Sequence, residues 1–132
     1  MEKLKVGKIY KIVDNTNGNV YIGSTIKRLN KRLSDHKSKY NSYLNGKGYY
    51  DYTSFDIIKN NDYRIELIKF VIYKDKKELH LRERYYIENN ICVNKFIPSR
   101  TLKEYRIDNK EYYKQYRIDN KEYIKKYQKI KY

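Results

Sequence analysis

The chain has 132 residues, with 31 Lys+Arg against 16 Asp+Glu and a formal charge of +15. That is a larger excess than solubility asks for, and it points to a polyanionic partner. No apolar run approaches the roughly 18 residues that a bilayer span requires. The opening MEKLKVGKIY lacks the apolar core of a secretion signal, and a single cysteine, Cys92, rules out both an internal disulfide and a cysteine-rich zinc site. The expectation is a protein of a reducing, intracellular compartment, not secreted, with no membrane partner and no small-molecule cofactor.

Only 39% of residues are hydrophobic, and 18 of these are Tyr, so the core must be small and built partly from tyrosine rings. Lys, Asn, Ile and Tyr are over-used together; all have A+T-rich codons, a bias compatible with viral or mobile-element origin. In chain order, Lys8–Val13 and Val20–Ser24 are rich in strand formers and flank the turn cluster Asp14-Asn15-Thr16-Asn17-Gly18-Asn19, which predicts a β-hairpin. Ser24 and Thr25 are possible N-caps for a helix whose inward face carries Ile26, Leu29, Leu33, His36, Tyr40 and Leu44 at steps of three and four, ending at Gly46 and Gly48. Residues 49–53 read as loop, and Ser54 is a possible cap for a short helix over 55–60. The run 63–73 alternates Ile65, Leu67, Lys69 and Val71 against Glu66, Ile68, Phe70 and Ile72, as a long strand does. A helix follows over 76–90, then a short extended piece, Ile91–Asn94, with a break at Pro98.

From residue 99 the composition changes. This tail has 11 Lys/Arg and a net charge of +6, and its segment Tyr105–Tyr112 recurs at Tyr116–Tyr123 with a period of 11 residues. That period places Tyr105, Tyr112, Tyr116, Tyr123 and Tyr127 on one helical stripe. Asp-x-x-Glu at 108–111 and 119–122 resembles a capping box, so the tail reads as one helix or as two with breaks near Asn109 and Asn120. The domain boundary falls between residues 98 and 99.

Three pieces carry chemistry. Tyr10 and Tyr21 lie on the two hairpin strands and face one side if the register allows; the plainer reading is that Tyr is a good strand former. Arg28, Arg32 and His36 form a ladder at steps of four. A guanidinium suits a phosphodiester because it is planar, always charged and a bidentate donor, although a solvated basic edge would look the same, and an inward His is often only a core residue. Glu83 falls on the apolar side of its helix with Leu79, Tyr86 and Ile87, where an uncompensated carboxylate costs several kcal/mol. Either an ion pair with Arg28, Arg32 or Arg82 compensates it, or it ligates a hard metal ion. Glu78 and Glu88 read as exposed.

Taken together, Lys8-Ile9-Tyr10, ten intervening residues, Tyr21-Ile22-Gly23-Ser24, then Arg32-x-x-x-His36, Arg82–Ile87 and Asn94 resemble the GIY-YIG nuclease pattern in order and spacing across residues 7–97. Lys8 departs from it, standing where the first motif has Gly, with Gly7 just before. The resemblance implies an α/β fold of the α+β type, a small three-stranded antiparallel sheet flanked by helices. It also implies metal-dependent endonucleolytic hydrolysis of DNA. On that mapping Glu83 holds Mg²⁺ or Mn²⁺, Tyr10 is the candidate general base with Tyr21 and His36 assisting, Arg32 (in preference to Arg28) neutralises the phosphate, and Gly23 and Asn94 support the site. A homing or mobile-element enzyme fits a short catalytic domain with a basic appendage. Arg28, Arg32, Arg106, Lys110, Arg117 and Lys121 are candidate DNA contacts. The alternative is a catalytically silent nucleic-acid-binding module on the same fold.

Overall fold

The computed structural model describes residues 3–47, 52–123, 125 and 126. The expected terminator Gly48, loop residues 49–51 and Tyr127 lie outside them. The described chain divides into two compact units, residues 1–99 and 100–132.

In the first unit, β1 (Lys5–Asp14) and β2 (Val20–Thr25) form the expected hairpin. Its turn is closed by Asp14 N–H to the Asn19 carbonyl at 2.8 Å and Gly18 N–H to the Asp14 carbonyl at 2.8 Å. Gly18 takes φ +78°, the left-handed conformation that favours glycine in such a turn. The buried Asp14 carboxylate accepts from the Thr16 backbone, the Thr16 hydroxyl and the Asn60 amide at 2.9, 2.6 and 2.6 Å, tying the hairpin to the approach of the third strand.

Next come α1 (Leu29–Leu44), α2 (Phe55–Ile58), β3 (Tyr63–Tyr73) and α3 (Lys76–Glu88). The sheet order is β2-β1-β3, antiparallel throughout. β1 is central, and its side chains alternate between two packed faces. Tyr10 and Ile12 point toward α1 and α2 with Ile57, Leu33, Ile65 and Tyr63. Ile9 points toward α3 with Ile22, Val71, Leu79 and Ile87. Gly7 leaves room for close packing here, since a Cβ would lie 2.9 Å from Leu79 Cδ1 and 3.1 Å from the Tyr73 ring.

Two local expectations are corrected. The β1–β3 register slips between Ile9/Lys69 and Tyr10/Leu67, so Ile68 is a bulge. Ile65 therefore serves the α1 face while Val71 serves the α3 face, and the simple alternation does not run through the strand. The first helix begins at Leu29 with Arg28 as N-cap, not at Ser24 or Thr25. Both of those residues are in β2, the Thr25 hydroxyl accepts from Lys27 N–H at 3.0 Å, and Ile26 is exposed. At the start of α3, by contrast, Asp75 is a true N-cap, accepting from Glu78 N–H, and the Glu78 carboxylate accepts from Lys74 N–H at 2.9 Å.

The second unit contains α4 (Leu102–Asp108) and α5 (Lys110–Asp119). The tail is interrupted at Asn109 and Asn120, as the segmented reading expects, and helix resumes at residues 121–123. Each of these Asn amides donates to the carbonyl four residues back, at 2.8 and 2.9 Å, so the sequence repeat is also a structural repeat. The capping box forms at Thr101 and Glu104 and not at 108–111, where Asp108 instead pairs with Arg100 at 3.2 Å. Among the described residues no helix is long and apolar enough to cross a membrane.

Candidate active site

The two hairpin tyrosines share the α1 face because Tyr10 pairs with Gly23 and Ile12 with Tyr21, and cross-strand partners project to the same side of a sheet. The Tyr10 ring lies directly over Gly23. A Cβ there would sit 2.4 Å from Tyr10 Oη and 2.6 Å from Cζ, so only glycine permits this stacking of ring on backbone.

The step of four on α1 delivers two groups to that phenol. Arg32 Nε–H donates to Tyr10 Oη at 3.0 Å, and His36 Nε2 lies 2.8 Å from the same oxygen. On the far side of the imidazole, Nδ1 is 3.1 Å from Ser54 Oγ. Ser54 therefore does not cap α2 through its side chain; its hydroxyl satisfies the buried histidine. With Arg32 donating to Tyr10, one proton arrangement that satisfies every group has Tyr10 O–H donating to Nε2 and Nδ1–H donating to Ser54. The His36 ring also meets Tyr21 edge-on, centroids 5.4 Å apart. Arg28, the first rung of the expected ladder, is exposed and takes no part in this network.

α3 covers the opposite face of the sheet, yet Glu83 reaches the same place around the edge of β2. It lines one cleft of about 420 Å³ together with Tyr21, Arg32, His36, Lys39, Tyr52, Phe96 and Asn94. Among the described residues Glu83 makes no ion pair. Burial pushes its carboxyl up, an effect partly offset by hydrogen bonds from Ser24 and by the charges of His80 and Arg32. The alternative of an ion pair with Arg28, Arg32 or Arg82 is not what the structure contains. Glu88 pairs with Arg84 outside the cleft.

Asn94 closes the open edge of β2. Its Oδ1 accepts from Ile22 N–H at 2.9 Å and its Nδ2 donates to the Ile22 carbonyl at 2.7 Å, while Val93 N–H donates to the Val20 carbonyl at 2.8 Å. One side-chain amide thus stands in for a neighbouring strand, and it fixes the segment 91–97 along the cleft. At the first motif, Lys8 occupies its unexpected position without strain by extending its ammonium to the Lys27 carbonyl at 3.1 Å.

The sequence model of the GIY-YIG catalytic domain matches residues 6–92. The chain belongs to the GIY-YIG family. No curated protein and no solved structure matches the chain. Membership makes this a nuclease fold with nucleic acid as its substrate class, in a family whose nucleases are generally metal-dependent. The GIY-YIG motif tyrosines are not equivalent here. Tyr10 is fully buried and does not line the cleft, whereas Tyr21 does. Burial raises the Tyr10 phenol well above its ordinary value, the neighbouring Tyr21 adding to that and Arg32 opposing it. Burial, with Glu83 adding, takes Tyr21 to about 12.

Burial and the charges of Arg32 and Lys39 push His36 down to about 3, so the imidazole is neutral at physiological pH. The folded state therefore resists protonation that the unfolded chain accepts near its ordinary 6.5. Stability associated with His36 is present above about 6.5 and is lost as pH falls from there toward about 3. In NMR titrations the His36 ring signals are expected to stay in the neutral form down to about pH 4 or to the onset of unfolding; a midpoint near 6.5 would mean an open, solvated ring.

Sequence reasoning missed five residues at the site, among them Ser54, which it read only as a helix cap and whose hydroxyl instead meets His36. Ser24 as a partner of Glu83 carries no spacing signal. Lys39 follows His36 by one helical step and was within reach of the same counting. Tyr52 and Phe96 lie in irregular segments where periodicity is silent.

Proposed function

We propose that this GIY-YIG chain is a divalent-metal-dependent endonuclease that hydrolyses DNA phosphodiester bonds. The observation that carries the reading is the convergence of Tyr21, Arg32, His36 and Glu83 on one cleft, with Tyr10 locked behind them by Gly23. A pure binding module has no need to bury a carboxylate without a cation or to hold a phenol between a guanidinium and an imidazole.

The donor set fits a hard metal ion. Glu83 supplies one anionic oxygen ligand at a cleft wide enough for waters and a substrate phosphate, which is the usual shell of Mg²⁺ or Mn²⁺. When bound, such an ion stabilises charge on the phosphate oxygens and the leaving oxygen. The chain's own groups do the rest. Arg32 uses Nε to hold Tyr10, and its terminal nitrogens are available to the non-bridging oxygens. Tyr21 is the hydroxyl that faces the cleft, so we assign it, in place of Tyr10, contact with the attacking water. Tyr10 and His36 act as positioning residues: they fix Arg32 and pack against Tyr21.

The purified chain is expected to nick supercoiled plasmid in Mg²⁺ or Mn²⁺ and to stop on chelation by EDTA. Undiminished cutting in EDTA, or none in any metal, would count against the reading. The basic tail fits a homing or mobile-element enzyme that needs affinity beyond its catalytic cleft. Its concave surface of about 620 Å³ is lined by Arg106, Lys110, Lys114 and Arg117 with Leu102 and Tyr113, and the repeat relates Arg106 to Arg117 and Lys110 to Lys121. Four such cations neutralise about four phosphates, contributing roughly −3 to −4 to the slope of log K against log[salt]. Truncation after Ser99 is expected to remove that much of the slope, measured by DNA binding at several salt concentrations; an unchanged slope would take the tail out of the mechanism.

A further inference from the structure

The cleft holds the charged and hydrogen-bonding groups described above, and two aromatic rings stand exposed along it. Phe96 is 75% exposed and Tyr52 is 45% exposed, and both rings line the cleft. They come from different segments, one following α3 and one preceding α2. Neither is loosely placed. Asn94, two residues before Phe96, is bonded through both amide atoms to Ile22. Cys92 and Ile97, on either side, pack on the α3-side core, so this anchored segment turns Phe96 outward as a consequence of its path. Tyr52 is held edge-on against Phe55 with centroids 5.5 Å apart, and the Lys39 ammonium lies 5.1 Å from its ring centroid.

An exposed phenylalanine on a fixed backbone beside a phosphate-binding cleft matches what a flat nucleobase needs. Base–aromatic stacking is tolerant of sequence and requires the base to be free of its neighbour in the helix. A base inside an intact duplex has both faces covered and cannot use such a ring. Lys39 adds a cation at the same rim, where a flanking phosphate would follow the base.

We propose that Phe96 and Tyr52 form a base-stacking rim that takes an unpaired, unstacked nucleobase next to the scissile phosphate, so that the cleft prefers nucleic acid with a splayed nucleotide over fully paired duplex. The inference rests on the nuclease reading above for the position of the phosphate, but its test is a binding measurement that needs no chemistry.

The full chain carrying Glu83→Gln, so that the probe is not cut, is titrated with a single-stranded oligonucleotide containing 2-aminopurine, whose fluorescence is quenched on stacking. The same sequence as a perfectly paired duplex is the control. With Phe96 present, binding quenches the probe. Phe96→Ala removes the quench and weakens single-strand binding about tenfold, while Phe96→Tyr restores both and duplex affinity changes by less than about twofold. Absence of quenching with Phe96 in place would overturn the proposal. So would equal losses on single strand and duplex, or restoration by Phe96→Leu as complete as by Phe96→Tyr, which would make the contact apolar and not aromatic. The two readings fail separately. A wild-type protein that cuts nothing but shows the Phe96-dependent quench loses the nuclease assignment and keeps the rim; one that cuts without the quench does the reverse.

Discussion

Glu83→Gln is expected to lower the rate of DNA nicking by about 10³-fold or more while leaving the melting temperature unchanged or raised. The two halves of that expectation have one cause. Glu83 is half-buried at the edge of β2, burial raises its carboxyl, and no described cation forms an ion pair with it. A carboxylate in that position costs folding energy. Gln keeps the size and retains an amide oxygen that can accept from Ser24, but it removes the charge, so the fold loses nothing it was relying on. What the substitution does remove is the hard anionic ligand, and with it the means to hold a divalent ion. The measurements are initial nicking rates on supercoiled plasmid and thermal melts with and without Mg²⁺ or Mn²⁺. The ion should stabilise the wild-type chain by mass action and have no such effect on Glu83→Gln. A variant that nicks at the wild-type rate would overturn the assignment of the site, and a variant that melts far below wild type would mean the carboxylate has a structural partner.

What the sequence disclosed and what it withheld divide along physical lines. Strand pairing in the hairpin was legible because the Asn17-Gly18 turn and the flanking β-branched runs fix a short-range geometry, and the register then put Tyr10 and Tyr21 on one face. α3 was legible because Leu79, Glu83, Tyr86 and Ile87 recur at helical spacing; its N-cap, Asp75, emerged only from the structure. The start of α1 was misread because Ser24 and Thr25 are equally good caps and strand residues; tertiary demand from Glu83 on one and the Lys27 turn on the other decided between them. The phase of β3 was misread because nothing in its composition marks Ile68 as the bulged residue. At the site, the ordered motifs pointed to Tyr10, Arg32, His36 and Glu83 as a group, but a motif gives no depth. That Tyr10 is fully buried while Tyr21 lines the cleft depends on how α1 crosses the hairpin, and no spacing encodes that angle. Tyr52, Phe96 and the Ser54 hydroxyl come from segments outside regular structure, where side-chain direction is set only by what surrounds them.

Gly23→Ala is the change expected to do most damage for its size. The added methyl would sit 2.4 Å from Tyr10 Oη and 2.6 Å from Cζ, a clash with a ring that cannot swing aside. Tyr10 is on the central strand, its side chain is wholly buried, and its hydroxyl is held by Arg32 at 3.0 Å and His36 at 2.8 Å. Relief must therefore come from moving either the ring or the β2 backbone. Moving the ring breaks the bonds to Arg32 and His36 and strands a neutral imidazole with only Ser54 for a partner. Moving the backbone pulls Ile22 away from Asn94, which binds it through both amide atoms, and loosens the segment that lines the cleft. Overpacking of this kind costs about 3 kcal/mol, and because either escape displaces Arg32 or Tyr21 the nicking rate should fall at least about a hundredfold even in protein that remains folded. Urea unfolding and nicking assays on the same preparation check both halves. Gly18→Ala is the control for backbone effects: it sits at positive φ with nothing within 4 Å, so it should cost stability through strain alone and leave the rate per folded molecule intact. If Gly23→Ala proves no worse than Gly18→Ala in both assays, the close stacking of Tyr10 on β2 is not what holds the site together.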